Sequence, residues 1–209
     1  MISAIESLEY LIKGNQRFVS GTRNRDSIIS QIHRDELLAG QKPSAIILGC
    51  SDSRVPAEII FDQTLGDLFV IRVAGNIVAP SQVGSVEFAA DRYGTPLVVV
   101  LGHSMCGAIL ATLEELQQPT GKQSQNQRSI VDRIRPSVET LLASDRNQDP
   151  DELVKQAIRA NIRASANQLR HGSEVLEQMI GKNKLLVVGA EYSLETGIVD
   201  FFDGIPAIG

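Results

Sequence analysis

Apolar residues recur along this chain with two different periods, and the way the periods alternate predicts its architecture. Ile5, Leu8, Leu11, Ile12 and Phe18 share one side of a helix, with Glu6, Glu9, Lys13 and Arg17 largely elsewhere. The polar stretch Gly21-Thr22-Arg23-Asn24-Arg25-Asp26 leads to a short helical candidate around Ile28–Leu38. An arm this long can pack on its own domain or reach a partner. From Pro43 onward, short apolar runs alternate with helical segments. Ser44–Gly49, Leu68–Val73, Leu97–Leu101 and Leu185–Gly189 read as strands, and Gly197–Phe202 as an edge strand. Val55–Phe61, Ser81–Tyr93, Met105–Gln117, Ile130–Leu142, Asp151–Leu169 and Ser173–Ile180 read as helices. Residues 118–127 lack apolar anchors and read as an exposed loop. Pro136 either bends its helix or marks its start.

This alternation predicts an α/β fold. A mostly parallel central β-sheet is flanked by helices, with an N-terminal helical arm and one antiparallel edge strand. Residues 1–209 are expected to form a single domain, with 1–40 as the arm and 41–209 as the α/β core. Net charge is −5 and the pI is near 5.3, and no basic stretch suits a phosphate backbone, so no nucleic-acid partner is expected. No run approaches the ~18 apolar residues of a membrane span, and the first residues lack the basic and apolar regions of a secretory signal. The expected location is cytoplasmic, without a membrane partner.

The candidate chemistry gathers at two strand ends. Cys50 opens Cys50-Ser51-Asp52-Ser53-Arg54 after the run Ala45–Leu48, and Cys106 closes Gly102-His103-Ser104-Met105-Cys106-Gly107 after Leu97–Leu101. In open α/β sheets, sites collect at the carboxyl ends of strands, so these two ends can face one another. Two thiolates and an imidazole supply three ligands, which leaves a tetrahedral zinc one position for chemistry. Against this stand a disulfide, which two cysteines in an intracellular chain disfavour, and the role of small buried hydrophobes. Asp52 and Arg54 can form a local ion pair. Beside a metal, Asp52 can also accept a proton from bound water or take the fourth position, while Arg54 keeps it ionised and oriented.

These motifs resemble the β-class carbonic anhydrases, of the plant-type-like bacterial branch. His103 follows Cys50 by 53 residues, and the likeness runs from Gln41 to Phe202 through Phe69-Val70-Ile71-Arg72-Val73-Ala74-Gly75-Asn76 and Glu87-Phe88-Ala89. The resemblance implies one zinc per chain on Cys50, His103 and Cys106, an Asp52–Arg54 catalytic dyad, and Asp52 as fourth ligand in a closed state. It also implies that Gln41, contributed across a dimer interface, hydrogen-bonds bicarbonate. By the same resemblance Phe69 matches an apolar residue that walls the carbon dioxide pocket, Phe88 stands where many relatives carry tyrosine, and Gly107 would offer a backbone N–H near the zinc-bound oxygen. Ala74 and Ala108 replace a common valine and a frequent glycine. Ile47 stands where the regulated branch has the tryptophan of a non-catalytic bicarbonate site, so Arg72 and Tyr192 are expected to be structural.

The implied function is zinc-dependent reversible hydration of carbon dioxide to bicarbonate and a proton by zinc-bound hydroxide, in a homo-oligomer (dimer or tetramer). Zinc brings bound water to a pKa of ~7 in a three-histidine carbonic anhydrase, a magnitude that belongs to that site. Two thiolates donate more charge and should leave the metal less acidic, which Asp52 can offset by accepting a hydrogen bond from the water. Hydrolysis of carbonyl sulfide or carbon disulfide, and a non-catalytic zinc protein, are the rival readings. His33 and His171 lie outside the motifs and are not assigned as proton shuttles.

Overall fold

The computed structural model describes residues 2–22, 38, 40–119, 121, 123–144 and 149–206. Helix α1 (Ala4–Val19) starts at a capping box in which the Ser3 hydroxyl accepts from the Glu6 N–H and the Glu6 carboxylate accepts from the Ser3 N–H. The chain continues through β1 (Ala45–Gly49), α2 (Ala57–Ile60), β2 (Leu68–Arg72), a 3-10 turn (Ala74–Asn76), α3 (Pro80–Tyr93) and β3 (Leu97–His103). It then forms α4 (Gly107–Gln117), α5 (Gln125–Ser144), α6 (Pro150–His171), α7 (Glu174–Gly181), β4 (Leu186–Tyr192) and β5 (Val199–Asp203). The sheet order is β2-β1-β3-β4-β5, with the first four strands parallel and β5 antiparallel to β4. This is the α/β architecture that the pattern predicts.

Strand alternation divides the core into two layers. Ile46, Leu48, Val98, Val100 and Val187 pack with residues of α3 to α7. Ala45, Ile47, Leu97, Val99, Leu101 and Val188 pack with Leu8 and Leu11 of α1 and with Ala57 and Ile60 of α2. Both faces of β1 and β3 are therefore buried, which is why these strands read as continuous apolar runs.

Several boundaries differ from the pattern, for identifiable reasons. β3 extends through His103 because its ladder with β4 continues to the pair His103–Tyr192, so β4 also runs on past the expected end at Gly189 and closes at Tyr192. α4 starts at Gly107, not Met105, because Met105 adopts a left-handed φ of 55°. α5 begins at Gln125, inside the expected loop. There Ser124 Oγ accepts from the Gln127 N–H and the Gln127 side chain accepts from the Ser124 N–H, a polar start that apolar periodicity does not reveal. Pro136 thus lies inside its helix rather than at the start. The helical candidate Ile28–Leu38 lies outside the described residues, apart from Leu38. Among the described residues no helix is long and apolar enough to cross a membrane.

α1 packs on its own chain. Gly14 lies so close to α2 that a Cβ there would stand 1.8 Å from the Phe61 carbonyl oxygen. The buried Asn15 donates to Ile60 O (3.2 Å) and Gly197 O (2.9 Å), and accepts from Val199 N (2.9 Å). Gly14→Ala is therefore expected to destabilise the protein by ~3 kcal/mol through overpacking. This would be read as a lower denaturant midpoint at unchanged slope; an unchanged midpoint would disprove the close approach.

Candidate metal centre

The strand order positions the site. The connection from β1 leads toward one sheet edge and that from β3 toward the other, so a crevice opens at their carboxyl ends. Gly49 is in register with Leu101, which brings Cys50, just past β1, beside His103 at the end of β3. The turn Ser104–Met105 carries the chain back to Cys106, the N-cap residue of α4. The sulfurs of Cys50 and Cys106 and a ring nitrogen of His103 lie within 4.8 Å of one another, and all three residues are buried. Both cysteines are free.

The protein holds each donor from behind. His103 Nδ1 lies 2.9 Å from Ser104 O. A carbonyl only accepts, so Nδ1 carries the proton and Nε2 presents its lone pair. That Nε2 is buried without a hydrogen-bond partner. Ser104 is itself fixed, with its N–H on Tyr192 O and its hydroxyl accepting from Leu194 N, both at 2.9 Å. Cys50 Sγ accepts from the Gly75 N–H at 3.4 Å. A hydrogen bond from the Cys106 thiol, with backbone N–H groups adding to it, holds the Cys50 thiol down to about 4 against its burial. The same contact with Cys50, together with burial, pushes the Cys106 thiol up. Two sulfur donors and an orphaned imidazole nitrogen converging in this way fit a tetrahedral zinc ion.

Asp52 stands beside this cluster. Its Oδ2 lies 3.9 Å from His103 Nε2, beyond hydrogen-bond reach, and accepts from an Arg54 terminal nitrogen at 2.8 Å. Its Oδ1 accepts from Arg54 Nε and from the Arg54 backbone N–H, both at 2.9 Å. The Arg54 side chain, followed by its backbone N–H, holds the Asp52 carboxyl well below the usual carboxylate range. Arg72, level with Gly49 in the adjacent strand, donates to Cys50 O (2.9 Å) and to Asp52 O. It thereby clamps the loop that carries both side chains. Tyr192 is buried, and burial raises its phenol pKa.

Gln41, Phe69 and Phe88 form a second group. Gln41 Nε2 donates to Tyr93 Oη at 2.9 Å. The Phe69 ring lies 6.4 Å from Phe88 and 6.1 Å from Tyr93, with Phe88 and Tyr93 edge to face at 5.6 Å. Phe69 pairs with Ile46, four residues before Cys50, so within one chain it lies about 13 Å down the sheet from the cysteine level. Phe88 is 53% exposed. Gly107 is the first residue of α4, where backbone N–H groups lack intrahelical partners. An apolar pocket of ≈ 450 Å³ opens beside it, lined in part by Ala74, Ala108 and Val131. His171 is exposed at the end of α6, and His33 lies outside the described residues. Ser104, Gly75 and Asn161, whose amide donates to Gly75 O, were not singled out from sequence. The one available signal was Asn161, an amide within an apolar helical stripe.

A sheet of this order with a Cys-His-Cys cluster at its switch point defines a metal-enzyme class, and the comparisons identify it. The carbonic anhydrase family profile matches residues 45–199. "Carbonic anhydrase 2" of Mycobacterium tuberculosis is 40% identical over 199 residues, covering 95% of this chain and 93% of that protein. The carbonic anhydrase of Mycolicibacterium smegmatis is 38% identical, covering 94% and 92%. Among solved structures, the β-carbonic anhydrase CcaA superposes with a TM-score of 0.75 at 28% identity, covering 94% of this chain and 95% of that one. The β-carbonic anhydrase CafA of Aspergillus fumigatus gives 0.74 at 27%, covering 85% of each. The chain belongs to the carbonic anhydrase family, in its β class.

Losing the Arg72 clamp should loosen the Cys50–Arg54 loop. In Arg72→Met, the Val55 amide, which closes this loop on Asp52 O, is expected to exchange at least about tenfold faster. That corresponds to one charged hydrogen bond of ~1.5 kcal/mol; unchanged exchange would show that the loop stands without the clamp.

Proposed function

We propose that this chain catalyses the reversible hydration of carbon dioxide to bicarbonate and a proton, with one zinc ion on Cys50, His103 and Cys106. The observation that carries the reading is the convergence of two buried sulfurs with a partnerless His103 Nε2, directly beside Asp52. Bound there, zinc supplies the Lewis acidity that makes hydroxide available from water near neutral pH. Asp52, held on both oxygens by Arg54, stays ionised and can only accept. It orients the attacking water by taking a hydrogen bond from it, and the proton released goes to solvent. Released from Arg54, the same carboxylate could instead close the site as a fourth ligand. The Gly107 N–H is suited to an oxygen of the forming bicarbonate. A compartment that keeps thiols reduced, as the cytoplasm does, suits a site with two cysteine ligands.

Phe69 lies about 13 Å down the sheet from the cysteine level, and Gln41 and Phe88 gather with it around Tyr93, which argues against their serving the site of their own chain. A second copy that turns this group toward the Cys50 crevice would supply the bicarbonate-binding amide and the apolar wall, which supports a homo-oligomer built from dimers. Phe88→Glu places a charge on that exposed aromatic group and is expected to shift the mass seen by light scattering to that of one chain, with loss of activity. A wild type that is monomeric and active would overturn the shared site.

Stopped-flow hydration assays on the zinc-replete protein test the reaction. Activity should rise from pH 7 to 9. Asp52 is already ionised throughout this range, so the rise reports ionisation of the attacking water. Cys106→Ser should abolish activity, and Asp52→Asn should lower it roughly 10²-fold. Full activity in Cys106→Ser would sink the ligand assignment. A zinc-bound wild type inactive across this range points to a non-catalytic zinc protein, or, if it hydrolyses carbonyl sulfide or carbon disulfide, to that reaction.

A further inference from the structure

The hydrogen bond on Cys50 Sγ comes from the N–H of a residue whose carbonyl a distant helix holds in place. Gly75 adopts a left-handed φ of 68° and is wedged so tightly that a Cβ would meet Ile134 Cδ1 at 2.9 Å and Ala108 Cβ at 3.2 Å. Its N–H donates to Cys50 Sγ at 3.4 Å. Its carbonyl accepts from Asn161 Nδ2 at 2.8 Å, a contact between residues 86 apart in sequence. Asn161 is 2% exposed on α6, among Ala157, Ile158, Ile162 and Ser165 on the buried face. An amide there weakens the helix and costs desolvation unless it is bonded. The partner it has found is the residue whose N–H serves the cysteine.

We propose that Asn161 is a positioning residue for the metal centre: by holding the Gly75 carbonyl it keeps the Gly75 N–H on Cys50 Sγ. This inference rests on the zinc reading of the site. An N–H donor on a thiolate withdraws charge from the sulfur, so it limits how much Cys50 donates to the ion and fixes the direction of its lone pairs. It thus works against the low acidity that two thiolate ligands impose. With Asn161 removed, the Gly75 peptide groups can rotate, and Cys50 becomes a stronger but poorly aimed donor.

The test uses the full chain loaded with cobalt(II), whose sulfur-to-metal charge-transfer absorption reads the electron density on the thiolates. Asn161→Leu, which keeps the bulk but loses the donor, should move this band to lower energy and should release zinc to a chelator about tenfold faster. Asn15→Leu, a buried amide lost from α1, should lower the unfolding midpoint and leave band and release rate as they are. A folded Asn161→Leu with wild-type band and release overturns the proposal, as a purely structural amide would behave that way. In the cadmium-113-loaded wild type, the Gly75 amide proton should show scalar coupling to the metal through the N–H···S bond, and its absence overturns the proposal without any variant. Asn161→Ala, which only removes atoms, should lose that coupling even if Asn161→Leu does not fold. A wild type that takes up no metal overturns the zinc reading and this inference together, whereas normal loading with an unchanged band overturns this inference alone.

Discussion

The parallel pairing of β1 with β3 is the constraint on which the rest depends. It runs from Ile46–Val98 to Gly49–Leu101, and it turns two cysteine-bearing segments far apart in sequence into neighbours. Both strands are buried on both faces, so a slip by one residue would exchange the two core layers and carry His103 away from Cys50. Packing energy spread over the whole sheet thus fixes the register of three side chains at its end.

Around those three side chains, the protein spends its polar groups on orientation. Ser104 O sets the His103 tautomer, the Gly75 N–H faces Cys50, and Arg72 gathers the carbonyls of Cys50 and Asp52. The Asp52–Arg54 pair sits nearer the surface, where ion pairs contribute little to stability. Its value lies in presenting a fixed, charged acceptor at the edge of a buried cluster.

Much of this was legible in the sequence because it depends on local pattern. The strands announced themselves as apolar runs, and the strand-end positions of Cys50, His103 and Cys106 pointed to one crevice. What was hidden depends on tertiary register or on single dihedral angles. His103 looked like a loop residue because its pairing with Tyr192 involves a strand whose polar end resembles a turn. Met105 delays α4 by adopting a left-handed conformation that its side chain does not advertise. Arg72 matters because it is level with Gly49, and Asn161 because a helix crosses behind Gly75. Neither relation has a periodicity to read.

Asn15 ties the first helix to Gly197 and Val199, contacts that span 182 and 184 residues. On the ribosome, α1 is made well before these partners, so its buried amide finds them only after the intervening residues have been added. Its apolar face can pack earlier on β1, α2 and β3, but two of the three bonds of Asn15 stay open until β5 arrives. The step that locks it down is among the most non-local in the molecule, and such closures slow folding. A nascent chain of this protein therefore carries a helix whose last buried polar contacts only β5 and the turn before it can complete.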